Sequence, residues 1–133
     1  MQTYYLVAIV TLLTVLVYFG MALTVARTHA KVGILAPTMV GDPLLERTVR
    51  AHGNTCEWLW IFMPSLWLFA IYVDPTWAAG IGLVWLIGRI IYFIGYRKEA
   101  LRRFPGFFIQ STAAFVLLLG ALGRLVYLMA SGE

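Results

Sequence analysis

Four apolar runs dominate this chain, and each is long enough to cross a lipid bilayer as a helix. A bilayer core needs about 20 predominantly apolar residues. The runs cover roughly residues 4–26, 56–73, 77–96 and 107–129. Spans pack side by side, because a backbone inside lipid must satisfy its own hydrogen bonds. The expectation is therefore an all-α membrane protein, a single four-helix transmembrane domain over residues 1–133. Composition excludes the soluble alternative. Of 133 residues, 62% are hydrophobic and 12% charged, whereas soluble domains carry about 25% charge.

Flanking signals extend three of the spans. Asp42-Pro43 and Asp74-Pro75 each place an N-cap carboxylate before a first-turn proline. The second helix then reads 43–73, roughly 46 Å at 1.5 Å per residue, so its first turns stand at the membrane surface. Pro64 should kink it. The third helix is expected over 75–103, with Gly80, Gly82 and Gly88 allowing close contact with a neighbour. Phe104-Pro105-Gly106 reads as a turn, and the fourth helix as 106–130. Eight of the ten basic residues lie in or beside the first and third loops: Arg27, Lys31, Arg47, Arg50, Arg97, Lys98, Arg102 and Arg103. By the positive-inside rule that end faces the cytoplasm, with both termini outside. The brevity of the chain points to a bacterial inner membrane. The net charge of +4 follows membrane topology, and no nucleic-acid partner or metal site is expected. A single cysteine, Cys56, rules out an internal disulfide and reads as a packing residue.

Charge inside lipid costs about 2.5–3.5 kcal/mol per residue on insertion scales and marks function by default. Arg50, Asn54 and Glu57 fall on one helical face. Arg89, Tyr92 and Tyr96 do the same on the third helix, and Arg103 is fourteen residues beyond Arg89, close to four turns. Guanidiniums bind carboxylates in bidentate fashion, a carboxylate binds an ammonium, and phenols donate hydrogen bonds. A ligand with two carboxylates and one ammonium satisfies this set. Glutathione has that pattern, and so do other small peptides. Bland readings stand beside each residue. Arg103 is a plain positive-inside anchor, Arg50 with Glu57 a structural pair, Tyr92 and Tyr96 interface aromatics, and Arg89 a strut between helices.

Glu46-Arg47, Arg50-Ala51, Asn54 and Glu57 together resemble the E-R-x-x-R-A-x-x-N-x-x-E signature of the MAPEG family, membrane-associated proteins in eicosanoid and glutathione metabolism. Arg89, Tyr92 and Tyr96 resemble its R-x-x-Y-x-x-x-Y, followed at the family's distance by Arg103. The resemblance covers essentially the whole chain and is nearest the microsomal glutathione transferases. It implies a homotrimer with glutathione as co-substrate, bound between subunits near the cytoplasmic face. Arg27, Arg50, His52, Asn54, Glu57, Tyr92, Tyr96 and Arg103 would bind it, with Arg103 stabilising the thiolate as the catalytic residue. His29 competes with Arg27 for reaching the neighbouring site, and Arg89 is a structural polar residue. Trp58 replaces a family tyrosine. The implied partner is a hydrophobic electrophile or lipid hydroperoxide. A non-catalytic lipid-binding or scaffold member is the alternative. A small transporter is disfavoured, because the outer helix halves are nearly uncharged and no helix reads as discontinuous.

Overall fold

A computed structural model describes residues 2–133. After a 3-10 turn at Gln2–Tyr4 come α1 (Tyr5–Val32), α2 (Pro43–Tyr72), α3 (Pro75–Lys98), a second 3-10 turn (Ala100–Arg103) and α4 (Phe104–Ser131). All four long helices are apolar and long enough to cross a membrane. Two short connections and the longer loop between α1 and α2 run neighbours antiparallel, so the basic ends of all four gather at one end of the bundle.

The caps work as their chemistry requires. Asp42 Oδ1 accepts from the Leu44 and Leu45 amides at 2.9 and 3.1 Å, and Asp74 Oδ2 from the Trp77 amide at 2.7 Å. Pro64 lies within α2, which continues through it. α1 runs past residue 26 to Val32 and stops at left-handed Gly33. Its last turns need no apolar side chains, because they stand beyond the hydrocarbon.

The third span departs from the sequence expectation in an instructive way. It ends at Lys98, because Glu99 adopts an extended backbone (φ −161°, ψ 137°). The 3-10 turn then folds the chain back, and Phe104-Pro105-Gly106 is the first turn of α4 rather than a loop. Proline tolerates that position because its missing N–H would have no helical partner there.

Packing differs between the two ends. The half away from the basic end is an apolar core in which the Phe62 and Trp85 rings stack at 3.9 Å, surrounded by Val7, Val10, Leu66, Phe69 and Leu117. Between α3 and α4 the backbones touch. A Cβ on Gly88 would come within 2.7 Å of the Gln110 nitrogen, and one on Gly106 would collide with the Tyr92 backbone. Of the other glycines expected at contacts, Gly82 packs against Val10 and Leu66, whereas Gly80 meets open space. A smaller cluster of Met21, Ala51, Tyr92 and Phe93 lies toward the basic end.

Candidate active site

α2 carries the first half of the site. Arg50 Nη1 donates to Glu57 Oε1 at 3.1 Å, and both side chains remain 58% exposed. The pair spans two turns, about 10 Å of helix, which only a long arginine can bridge. Asn54 lies between them in sequence but turns inward. Its Oδ1 accepts from Arg89 Nη1 and Nη2 at 3.0 and 2.9 Å, leaving its amide N–H groups as donors. Thr55 Oγ1 accepts from Arg89 Nη1 at 3.0 Å and donates to the Ala51 carbonyl at 2.9 Å.

Arg89 is fully buried. Among the described residues it has no carboxylate partner, and its Nε is unpartnered. Its charge is held instead by neutral acceptors and by aromatic faces, with the guanidinium carbon 4.1 Å from the Tyr92 ring centre and 5.9 Å from that of Trp85. Such cation–π contacts are worth about 2 kcal/mol or more when desolvated.

From Tyr92 the arrangement continues outward. Tyr96 meets the buried Tyr92 ring edge-on at 5.6 Å. The Arg103 guanidinium sits 5.2 Å from the Tyr96 ring centre and 4.5 Å from that of Phe104, and Arg103 Nη1 donates to the Ala100 carbonyl at 2.6 Å. Two cations therefore bracket two phenols in a row that runs from the core to the basic end. Arg103 reaches this face through the fold-back at Glu99, not by four continuous turns. A groove of about 560 Å³ opens beside this row, lined by Met39, Val40, Arg47, Arg50, Gly53 and Tyr96.

Two residues lie elsewhere. His52 is two positions from Arg50, about 200° around the helix, and faces α1. Its ring stacks on Tyr18 at 4.7 Å, and its buried Nε2 has no partner among the described residues. Arg27 is exposed on α1, with no hydrogen bond or ion pair among the described residues. Its competitor His29 is occupied, its Nδ1 lying 2.7 Å from the Ile34 carbonyl. One chain does not bring Arg27 or His52 to the Arg50–Glu57 stripe. Cys56 is exposed rather than packed, on an apolar groove with Leu59, Trp60 and Met63. Trp58 meets Phe107 and Phe115 edge-on at 5.7 and 6.4 Å, forming an aromatic wall on the α2–α4 side.

A sequence model of the MAPEG family matches residues 5–123. The chain belongs to the MAPEG family. An uncharacterized Synechocystis protein is 44% identical over 115 residues, covering 86% of this chain and 84% of that one. Human microsomal glutathione S-transferase 2 is 36% identical over 119 residues, 89% of this chain and 81% of its own. Guinea pig leukotriene C4 synthase is 35% identical over 125 residues, 93% of this chain and 83% of its own. With its four spans, this MAPEG member is an integral multi-pass membrane protein.

Sequence reasoning missed one group. Arg47, Arg97, Thr28 and Thr48 form a second inward-facing network at the basic end. A signal was present. Thr48 and Thr55 are seven apart on α2, and Arg97 and Arg89 eight apart on α3. On antiparallel helices those spacings align two threonine–arginine rungs.

Proposed function

We propose that this MAPEG member is a membrane-embedded glutathione transferase that holds glutathione as its thiolate for attack on hydrophobic electrophiles. The observation that carries this reading is the Arg50–Glu57 pair, 58% exposed on each side chain midway along a membrane helix and beside a groove shared with Tyr96. Lipid does not tolerate such exposure, so a polar ligand and a neighbouring chain must cover it. Charge indicates the ligand class. Arg47, Arg50 and Arg103 with the deeper Arg89 set four guanidiniums against the Glu46 and Glu57 carboxylates, leaving two positive charges. Glutathione with its thiol ionised carries two carboxylates, one ammonium and one thiolate, a matching net of two negative charges. The named relatives, a glutathione S-transferase and leukotriene C4 synthase, support the same choice.

The roles follow from the chemistry. Arg50 and the remaining amide N–H groups of Asn54 bind carboxylates, and Glu57 takes the ammonium. Tyr92 and Tyr96 line the site. Arg103 stabilises the sulfur, because an opposite charge favours the ionised thiol and the thiolate is the nucleophile. The electrophile comes from lipid along Trp58, Phe107 and Phe115. The thiolate forms the sulfur–carbon bond, and the leaving group departs with the bonding pair. With a lipid hydroperoxide, two glutathiones would supply the electrons, giving an alcohol, water and the glutathione disulfide.

In a homotrimer, Arg27, exposed and away from its own stripe, is free to serve a neighbour's site, whereas His52 would first have to leave its stack on Tyr18. The basic end faces the cytoplasm, both termini lie outside, and the host membrane is a bacterial inner membrane. The alternative, a non-catalytic lipid-binding or scaffold member, draws on one observation: Arg50 and Glu57 already satisfy one another. The open groove and an Arg103 without a carboxylate partner favour the enzyme. The test is thiolate absorbance of the detergent-solubilised protein titrated with glutathione, followed by conjugation of 1-chloro-2,4-dinitrobenzene. Absorbance should appear well below the free thiol's pKa of about 8.5, with release of chloride. Glutathione binding without either signal would leave the scaffold reading.

A further inference from the structure

Arg97 lies in the stretch where basic residues ordinarily serve as positive-inside anchors, yet its side chain turns into the bundle. Its Nε donates to Thr48 Oγ1 at 3.0 Å and its Nη2 to Thr28 Oγ1 at 3.3 Å. Both threonines are buried, at 0% and 1% exposure. Each hydroxyl spends its proton on its own helix, Thr48 on the Leu44 carbonyl and Thr28 on the Thr24 carbonyl, both at 2.7 Å. Only lone pairs remain, and these accept from Arg97. The Arg97 carbonyl in turn accepts from Arg47 Nε and Nη2 at 3.3 and 3.0 Å. One residue thus ties α1, α2 and α3 together.

The tie sits where the two halves of the site meet. Arg97 follows Tyr96 directly. The Gly95 carbonyl accepts from the Glu99 amide at 3.0 Å, and Gly95 packs against the Arg102 carbonyl with no room for a Cβ. The returning turn is therefore seated on α3, and it carries Arg103 over Tyr96. On the other side of the tie, Arg47 lines the groove with Arg50 and Tyr96. Arg89 joins α2 to α3 deeper in the bundle. Arg97 makes the corresponding join at the level of Arg103.

We infer that Arg97 is a positioning residue, whose lock on Thr28 and Thr48 sets the distance between the binding groups of α2 and the thiolate-stabilising Arg103. This rests on the reading of the site as a glutathione thiolate site. Releasing the lock lets the end of α3 move from α2, so a glutathione held by Arg50 and Glu57 presents its sulfur too far from Arg103.

The experiment must keep the charge of Arg97, since removing it would alter the thiol electrostatically. The double variant Thr28→Val, Thr48→Val is isosteric and removes both acceptors of Arg97 together with their donations to the Thr24 and Leu44 carbonyls, which already accept within the helix. Purified protein saturated with glutathione is titrated with pH, reading thiolate absorbance. The expected result is a midpoint raised by about one pH unit toward the free thiol, with a higher KM for glutathione. The midpoint does not depend on how much protein is folded. A variant that is less stable but keeps the wild-type midpoint overturns the inference. If the double variant does not fold, Thr48→Val alone is read, with a smaller rise expected, and an unmoved midpoint there is equally fatal. Failure of the underlying reading looks different: the wild type itself would show only the midpoint of free glutathione.

Discussion

The two ends of the bundle solve opposite problems. The end away from the basic residues holds together by shape: Phe62 on Trp85, Gly82 against Val10 and Leu66, and, among the described residues, no charged side chain in its core. The basic end is held by directed bonds: Arg89 to Asn54 and Thr55, Arg97 to Thr48 and Thr28, Arg47 to the Arg97 carbonyl. Lipid tails are as apolar as leucine, so burial alone drives little association between spans, and packing and hydrogen bonds must do it. The contrast teaches a division of labour. The apolar end supplies stability with no chemistry, and the basic end supplies the geometry on which the proposed glutathione site depends. Substitutions should therefore separate cleanly, those at the apolar end changing melting and those at the basic end changing thiol chemistry.

The largest expected effect is Phe62→Ala. The ring is fully buried in its stack on Trp85, and such truncations cost about 3–5 kcal/mol. Thermal unfolding in detergent should show a large loss, while the thiolate midpoint of the remaining folded protein stays put. A moved midpoint would break the separation. Next comes Arg103→Ala, expected to lower turnover by about a hundredfold and affinity for glutathione much less, with melting nearly unchanged. Equal rates from variant and wild type on 1-chloro-2,4-dinitrobenzene would remove Arg103 from the mechanism. Glu57→Gln follows. It keeps the shape and loses the charge facing the ammonium, so binding should weaken about tenfold, or about 1.4 kcal/mol. Unchanged affinity by calorimetry would make Glu57 a structural partner of Arg50.

What was legible in the sequence follows the same divide. The four spans and both aspartate caps were readable, because hydropathy and capping are local. The stripes were readable as well, since helical spacing alone puts Arg50 with Glu57 and Arg89 with Tyr92. The end of α3 was not. Glu99 breaks the helix through its own backbone, in a run of residues that otherwise favours helix. Arg97 was invisible for another reason. Its partners, Thr28 and Thr48, lie 69 and 49 residues away, and an arginine at the end of a membrane span has an ordinary explanation that needs no partner.

His52 should give the smallest effect, and it probes the point where a single chain falls short. Its ring is committed to Tyr18 at 4.7 Å on the side of α2 away from Arg50, so it cannot touch a ligand held by its own stripe. His52→Phe preserves the stack and removes only the ring nitrogens. Nε2 is buried within the single chain, so affinity for glutathione should hardly change; a fall of about three- to tenfold, the worth of a single neutral hydrogen bond, would show that assembly opens the ring to a ligand. Turnover at saturating glutathione and the melting temperature should hardly change. No change in affinity would confine His52 to packing between α1 and α2. A fall in melting temperature with affinity intact would show that the imidazole serves the fold.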